Sequence, residues 1–93
     1  VLSNEEELPA NVVTVSPNPT PDELNIKTVL NKPGKVVVEF FNIRGMKVME
    51  KEYNSTSRAF AQKIDLKDFK NGFYLVKINT DKGIMTRRFV VEK

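Results

Sequence analysis

Covalent and acid–base chemistry needs nucleophiles, proton carriers or metal ligands, and this chain is short of all three. Neither cysteine nor histidine occurs among its 93 residues. Their absence removes the thiolate nucleophile, the Ser-His and Cys-His pairs, the thiolate and imidazole metal ligands, and the side chain whose ordinary pKa lies nearest neutrality. Carboxylates remain. Glu39, Glu50 and Glu52 fall on neighbouring predicted strands, and two carboxyl groups at a set separation are what glycoside hydrolysis requires. Nothing in the sequence around them marks a cleft or an aromatic platform for a sugar, so solvent-facing charges paired with Lys47 and Lys51 are the stronger reading. Asp65, Asp68 and Asp81 offer hard oxygen ligands for calcium, but no D-x-D-x-D run is present and each has a turn or capping role of its own. Phe73, Tyr74 and Phe89, near Lys77, Arg87 and Arg88, have the composition of a platform for single-stranded nucleic acid. In a β domain this small, alternating aromatics belong more commonly to the core. Asn54-Ser55-Thr56 matches the N-glycosylation acceptor pattern, which matters only in a secreted protein of suitable origin. The four glycines stand singly at turns, so no phosphate-cradling loop is expected. No catalytic residue, cofactor or metal is expected, and the composition points to a scaffold or recognition module.

Length allows one small domain, and a hydrophobic content of 40% gives it a thin core. No stretch approaches the about 18 consecutive apolar residues of a membrane helix. Val1 to Glu7 lacks the basic start and apolar centre of a signal peptide, so the chain reads as cytosolic or as a piece of something longer. Charge is uneven. The first ten residues hold three acids and no base, and residues 11 to 93 hold 15 bases against 9 acids, a balance of +6. A basic domain can meet nucleic acid, but these bases are scattered and form no run.

Residues 1–11 read as a flexible acidic linker, expected to be mobile and open to proteases, and residues 12–93 as a folded β domain. Turn signals recur about every 8–12 residues between β-branched stretches. The first strand is Val12 to Val15, ended by the prolines of Ser16-Pro17-Asn18-Pro19-Thr20-Pro21. The second runs Glu23 to Leu30 with Leu24, Ile26, Thr28 and Leu30 on one face. Asn31-Lys32-Pro33-Gly34 is expected to close a hairpin, with the glycine left-handed. The third, Lys35 to Ile43, places Val36, Val38 and Phe40 on one face and Val37, Glu39, Phe41 and Ile43 on the other, the pattern of a central strand. Arg44-Gly45 leads into Met46 to Tyr53, whose Lys and Glu content marks an edge. Phe60, Gln62, Ile64 and Leu66 alternate in a fifth strand. Asp65 to Asn71 is a corner with Leu66 and Phe69 turned inward. Gly72 to Asn79 and Ile84 to Val91 form a terminal hairpin across Thr80-Asp81-Lys82-Gly83. Seven strands with alternating faces give an all-β, seven-stranded antiparallel immunoglobulin-like β-sandwich, with a small closed barrel as the competing architecture. The expected core is Leu24, Ile26, Val36, Val38, Phe40, Ile64, Leu66, Tyr74, Val76, Ile78 and Phe89.

Three stretches carry a resemblance. The first is Val15-Ser16-Pro17-Asn18-Pro19-Thr20 followed by Asp22, Leu24, Asn25 and Ile26. The second is Phe41-Asn42-Ile43-Arg44-Gly45-Met46-Lys47-Val48. The third runs from Ile64-Asp65-Leu66 through Phe69 and Asn71-Gly72-Phe73-Tyr74-Leu75-Val76-Lys77-Ile78 to Arg87-Arg88-Phe89-Val90-Val91. In order and spacing they resemble the C-terminal sorting domain of type IX (Por) secretion cargo over roughly residues 13 to 93. Ser16 stands where that family often has an aromatic, and Phe73 where it often has a smaller residue.

The resemblance implies an export address at the C-terminus of a larger cargo protein. A type IX outer-membrane translocon would read it, and a sortase-like signal protease would remove it in or just before the acidic leader. The cargo would be N-terminal to it in cis, in periplasmic transit and then at the surface of a Gram-negative cell or secreted. On that reading the residues that matter are Pro17, Asn18, Pro19, Gly72, Tyr74, Val76, Lys77, Ile78, Arg87, Arg88, Phe89, Val90, Val91 and Lys93, with a free C-terminal strand presented to the translocon and nucleic acid not a partner. The reading from another class is an Ig-like adhesion or carbohydrate-binding module of a surface protein, which calls for an exposed aromatic platform or a calcium site. A basic nucleic-acid-binding barrel is the third.

Overall fold

The computed structural model describes residues 13–18 and 20–93; the acidic leader, Val12 and Pro19 lie outside the described residues. Seven strands follow one another: β1 (Val13–Ser16), β2 (Glu23–Val29), β3 (Gly34–Asn42), β4 (Lys47–Ser55), β5 (Ala59–Asp65), β6 (Gly72–Thr80) and β7 (Gly83–Val91). They form two antiparallel sheets, a three-stranded one in the order β1-β2-β5 and a four-stranded one in the order β4-β3-β6-β7. Among the described residues there is no helix.

Period-two patterning builds the core as expected. Leu24, Ile26 and Ile64 of the smaller sheet face Val36, Val38, Phe40, Val76, Ile78 and Phe89 of the larger, all fully or almost fully buried. Phe40 sits among aromatic rings, edge-on to Phe69 at 5.7 Å and to Phe89 at 5.9 Å. Leu66 and Phe69 plug the end of the sandwich from the corner after β5, where the Phe69 N–H donates to the Leu66 carbonyl at 2.8 Å. Tyr74, expected in the core, is half-buried. Its ring stacks on Phe89 at 5.7 Å, while its hydroxyl reaches the rim and donates to the Lys70 carbonyl at 2.8 Å.

Two turns carry the terminal and central hairpins on positive-φ glycines: Gly45 (φ 84°) between β3 and β4, and Gly83 (φ 114°) between β6 and β7. The Asn31–Gly34 turn departs from expectation. It is no hairpin: β2 pairs with β1 and β5, β3 pairs with β4 and β6, and the turn carries the chain from one sheet to the other. Gly34 is not in the positive-φ region. The physical reason is burial. The inner faces of β2 and β3 both need cover, and strands lying side by side would leave both exposed, whereas facing strands bury each against the other. The crossing is held from outside its own ladder. The Asp81 carboxylate accepts from the Asn31 and Lys32 N–H groups at 3.1 and 3.0 Å.

β3 is central, as its composition implies. Its second face is not buried under a further layer, however, and Val37, Glu39 and Phe41 are half-buried on the outer surface of the sheet.

Candidate functional site

The expected site residues fall mainly on the terminal hairpin. In the β6–β7 register Gly72 lies opposite Val91, Tyr74 opposite Phe89, Val76 opposite Arg87, Lys77 opposite Thr86 and Ile78 opposite Met85. Alternation then divides their roles. Tyr74, Val76, Ile78, Phe89 and Val91 point inward and build the core, while Lys77, Arg88 and Val90 lie on the outer face. Gly72, at φ 149°, lets the chain leave the corner and enter β6 in a conformation that side-chain-bearing residues rarely adopt.

The opening motif meets the closing one. Asn18 is 72 residues from Val90 in sequence, yet its side-chain oxygen accepts from the Val90 N–H at 3.0 Å. Thr20 forms a short parallel bridge to Val91: its N–H donates to the Val90 carbonyl at 2.9 Å and its carbonyl accepts from Glu92 at 2.8 Å. Thr20 itself is fully buried, its hydroxyl bonded to the backbone of Glu23. Pro17 is exposed beside this clamp. On the opposite side Asn71 Oδ1 accepts from the Lys93 N–H at 3.0 Å, and Lys93 Nζ donates to the Lys67 carbonyl at 2.6 Å.

The free terminal strand expected from the sequence is therefore only half free. β7 is an edge strand, but from Val90 onward its outward hydrogen bonds are filled and its end is tied down. Upstream, ladder alternation turns the backbone groups of Ile84, Thr86 and Arg88 outward. There the Thr86 carbonyl is capped by Arg87 Nη1 at 2.9 Å. Arg87 points to the inner side by register but remains exposed beyond the cover of the smaller sheet.

Sequence reasoning missed three things here: the partner of Asn18, the buried role of Thr20, and the tie from Asn71. The only local signal was Thr20 held between Pro19 and Pro21, a position where a hydroxyl can stand in for missing backbone donors. Phe73 is the other correction. Weighed with Tyr74 and Phe89 as a core aromatic, it lies on the outer face and is 58% exposed. The odd-numbered residues of β6 face away from the partner sheet, so the adjacent pair Phe73 and Tyr74 is split between the two faces.

The candidate carboxylates form a charge cluster on the outer face. Lys47 Nζ contacts Glu39 Oε2 at 3.2 Å and Glu50 Oε1 at 2.5 Å, and Asn79 Nδ2 donates to Glu39 Oε1 at 3.1 Å. Hydrogen bonding to Glu50, and then to Glu39, raises the Lys47 pKa above its ordinary value. Glu52 pairs with Lys35 at 3.4 Å, not with Lys51. Asp65 accepts from the Lys67 N–H at 3.0 Å in a local turn, and Asp81 holds the sheet-crossing turn. Among the described residues no group of three or more acidic side chains is placed to hold a metal ion.

An antiparallel sandwich whose Asn18 and Thr20 seal the end of its last strand is one class of β-sandwich module, and the sequence places it more narrowly. The family model of the secretion system C-terminal sorting domain matches residues 14–92, most of the chain, and the protein belongs to that family. It carries a type IX secretion sorting domain, which acts with the type IX machinery to take a cargo in cis across the outer membrane, to the cell surface or beyond. No curated protein matches the chain.

Proposed function

We propose that this domain is read in its folded state, through the end of the sandwich built by the β6–β7 hairpin and sealed by Asn18 and Thr20. An outer-membrane translocon takes the cargo from the periplasm by this end, and a sortase-like protease afterwards removes the domain in or before residues 1–11. The observation that supports the reading is the closure itself. The two motifs farthest apart in sequence meet at one place, through Asn18–Val90 and Thr20–Val91. Closure by Asn18 and Thr20 gives the terminal strand one fixed shape, and a receptor loses less ordering entropy on binding a fixed surface.

The test is a passive reporter carrying its own signal peptide, with and without residues 1–93 at its C-terminus, expressed in a type IX secretor. The fused reporter is expected at the surface or in the medium, and the bare reporter in the periplasm. Equal distribution of the two would reject the reading. Processing is followed on the same fusion: a shortened surface product whose new C-terminus lies upstream of Val13 is expected.

A further inference from the structure

Exposed apolar residues are scattered singly on most small domains; here they are gathered. Six large apolar side chains are exposed among the described residues, and five of them, Ile43, Met46, Val48, Phe73 and Leu75, lie at one end of the four-stranded sheet. The register explains the gathering. Phe41 pairs with Leu75 and Asn42 with Tyr74, so the β3–β4 tip stands beside the start of β6. Phe73, with Leu75, continues the outer face toward that tip, where Ile43 is 76% and Met46 60% exposed. Hairpin tips are ordinarily polar. This one is also rigid: Asn42 Oδ1 accepts from the Arg44 and Met46 N–H groups at 2.9 and 3.1 Å, and the Asn42 N–H donates to the Met46 carbonyl at 3.0 Å. Next to it an open groove of about 430 Å³ is lined by Val48, Met49, Phe69 and Tyr74.

The rim is mainly basic. Arg44 sits in the tip, Lys70 lines the groove together with Asp68, Lys77 lies 5.0 Å from the Phe41 ring centroid and opposite Glu39 in the β3–β6 register, and Arg88 is opposite Leu75. Among the described residues none of these four cations takes part in an ion pair, whereas Lys47 nearby is held by two glutamates. An apolar centre with rigid anchors and a net positive edge is the make-up of a protein-docking surface.

We infer that this patch docks the domain on a protein of the secretion machinery, against an apolar surface rimmed by carboxylates. The inference rests on the sorting reading above and names the part of the folded end that is gripped. Charge complementarity selects an acidic rim. A second copy of this basic chain would set like charges against each other. A lipid bilayer fits less well, because Ile43 and Met46 flank Arg44 within one tight turn, and their entry into hydrocarbon would oblige the Arg44 side chain to turn back to keep its guanidinium in water.

The experiment uses the reporter fused to residues 1–93 in a type IX secretor, with thermal melts of each purified fusion. Three variants are compared: Phe73→Ser with Leu75→Ser, Arg44→Glu with Arg88→Glu, and Ile84→Ser as an exposed apolar control on the same face at the far end of β7. All substituted side chains are exposed, so melting temperatures are expected to stay within about 4 °C of the parent. The first two variants are expected to lower surface reporter by about tenfold or more, while the control matches the parent. If the parent is exported and both patch variants follow it to within about twofold, docking through this patch is overturned while the sorting reading stands. If the parent itself stays in the periplasm, the sorting reading fails and this inference falls with it. Binding of the purified fusion to mixed phosphatidylcholine–phosphatidylglycerol vesicles, lost on changing Phe73 and Leu75, would replace the protein partner by a lipid surface.

Discussion

The four-stranded sheet has two edges, and they are managed in opposite ways. β4 is left open and blunted by charge: Lys47, Glu50, Lys51 and Glu52 line it, and a register shift opposite Phe40 and Phe41 breaks its ladder. β7 carries Phe89 and Val91 into the core, and its outer edge is closed at its far end by Asn18 and Thr20. One edge is merely prevented from pairing. The other is given a fixed shape by residues brought from the opposite end of the chain. Protection against aggregation requires only the first device, so the second points to a strand whose exact placement matters to the domain.

The comparison is broken most severely by removing the closed edge. Deleting Arg87 to Lys93 strips Phe89 and Val91 from the core and uncovers β6. The cost should approach the whole stability of a small domain, about 5–15 kcal/mol, and denaturant titration is expected to show no cooperative transition. Phe89→Ala keeps the strand but empties the ring contacts with Phe40 and Tyr74. A loss of about 3–5 kcal/mol is expected from the shift in denaturation midpoint. On the open edge, Glu50→Ser removes an exposed partner of Lys47 and should move the same midpoint by no more than about 0.5 kcal/mol. Between these extremes lies the clamp. Asn18→Ala frees the Val90 N–H to water at the surface and is expected to cost about 1 kcal/mol. It should also speed amide exchange at Val90 and Glu92 while leaving the β4 amides unchanged.

What the sequence made legible followed from local period. Val36, Val38 and Phe40, like Leu24, Ile26 and Thr28, declare a buried face by alternation alone, and Gly45 and Gly83 mark real turns. The Asn31–Gly34 turn shows the limit. Pro-Gly signals that the chain bends, but whether the next strand pairs with the last or crosses to the other sheet is decided by what covers both inner faces. The clamp was illegible for another reason. Asn18 and Val90 share no periodicity, and a bond across 72 residues leaves no trace in either neighbourhood. Phe73 and Leu75 fall off the Tyr74, Val76 and Ile78 face that alternation marks as core, but a strand apolar on both faces leaves open whether a further layer covers the second, and their exposure answers that it does not.

The smallest expected effect is alkaline. The Lys47 pKa is raised by its glutamates, and the Tyr53 pKa is raised by burial against Phe60. Both groups hold their protons more tightly when folded, so their contribution is complete below their ordinary values of 10.5 and 10.0 and is lost as pH rises through the folded ones. Melting temperature is therefore expected to show no effect of these two groups from neutrality to about pH 9.5 and to decline above pH 10. Tyr53→Phe should remove part of that decline, and a profile unchanged by the substitution would assign the decline elsewhere.

The central claim, that the sorting machinery reads the folded end carrying β7, is tested most directly by a short polar tail appended after Lys93 in the reporter fusion. Lys93 is anchored to Asn71 and Lys67, so the tail leaves the surface beside the corner that precedes β6 without entering the sandwich. The account predicts a melting temperature within about 4 °C of the parent, with the reporter retained in the periplasm. A tailed fusion that folds normally and reaches the cell surface as fully as the parent, together with surface delivery of the fusion lacking Arg87 to Lys93, would contradict it.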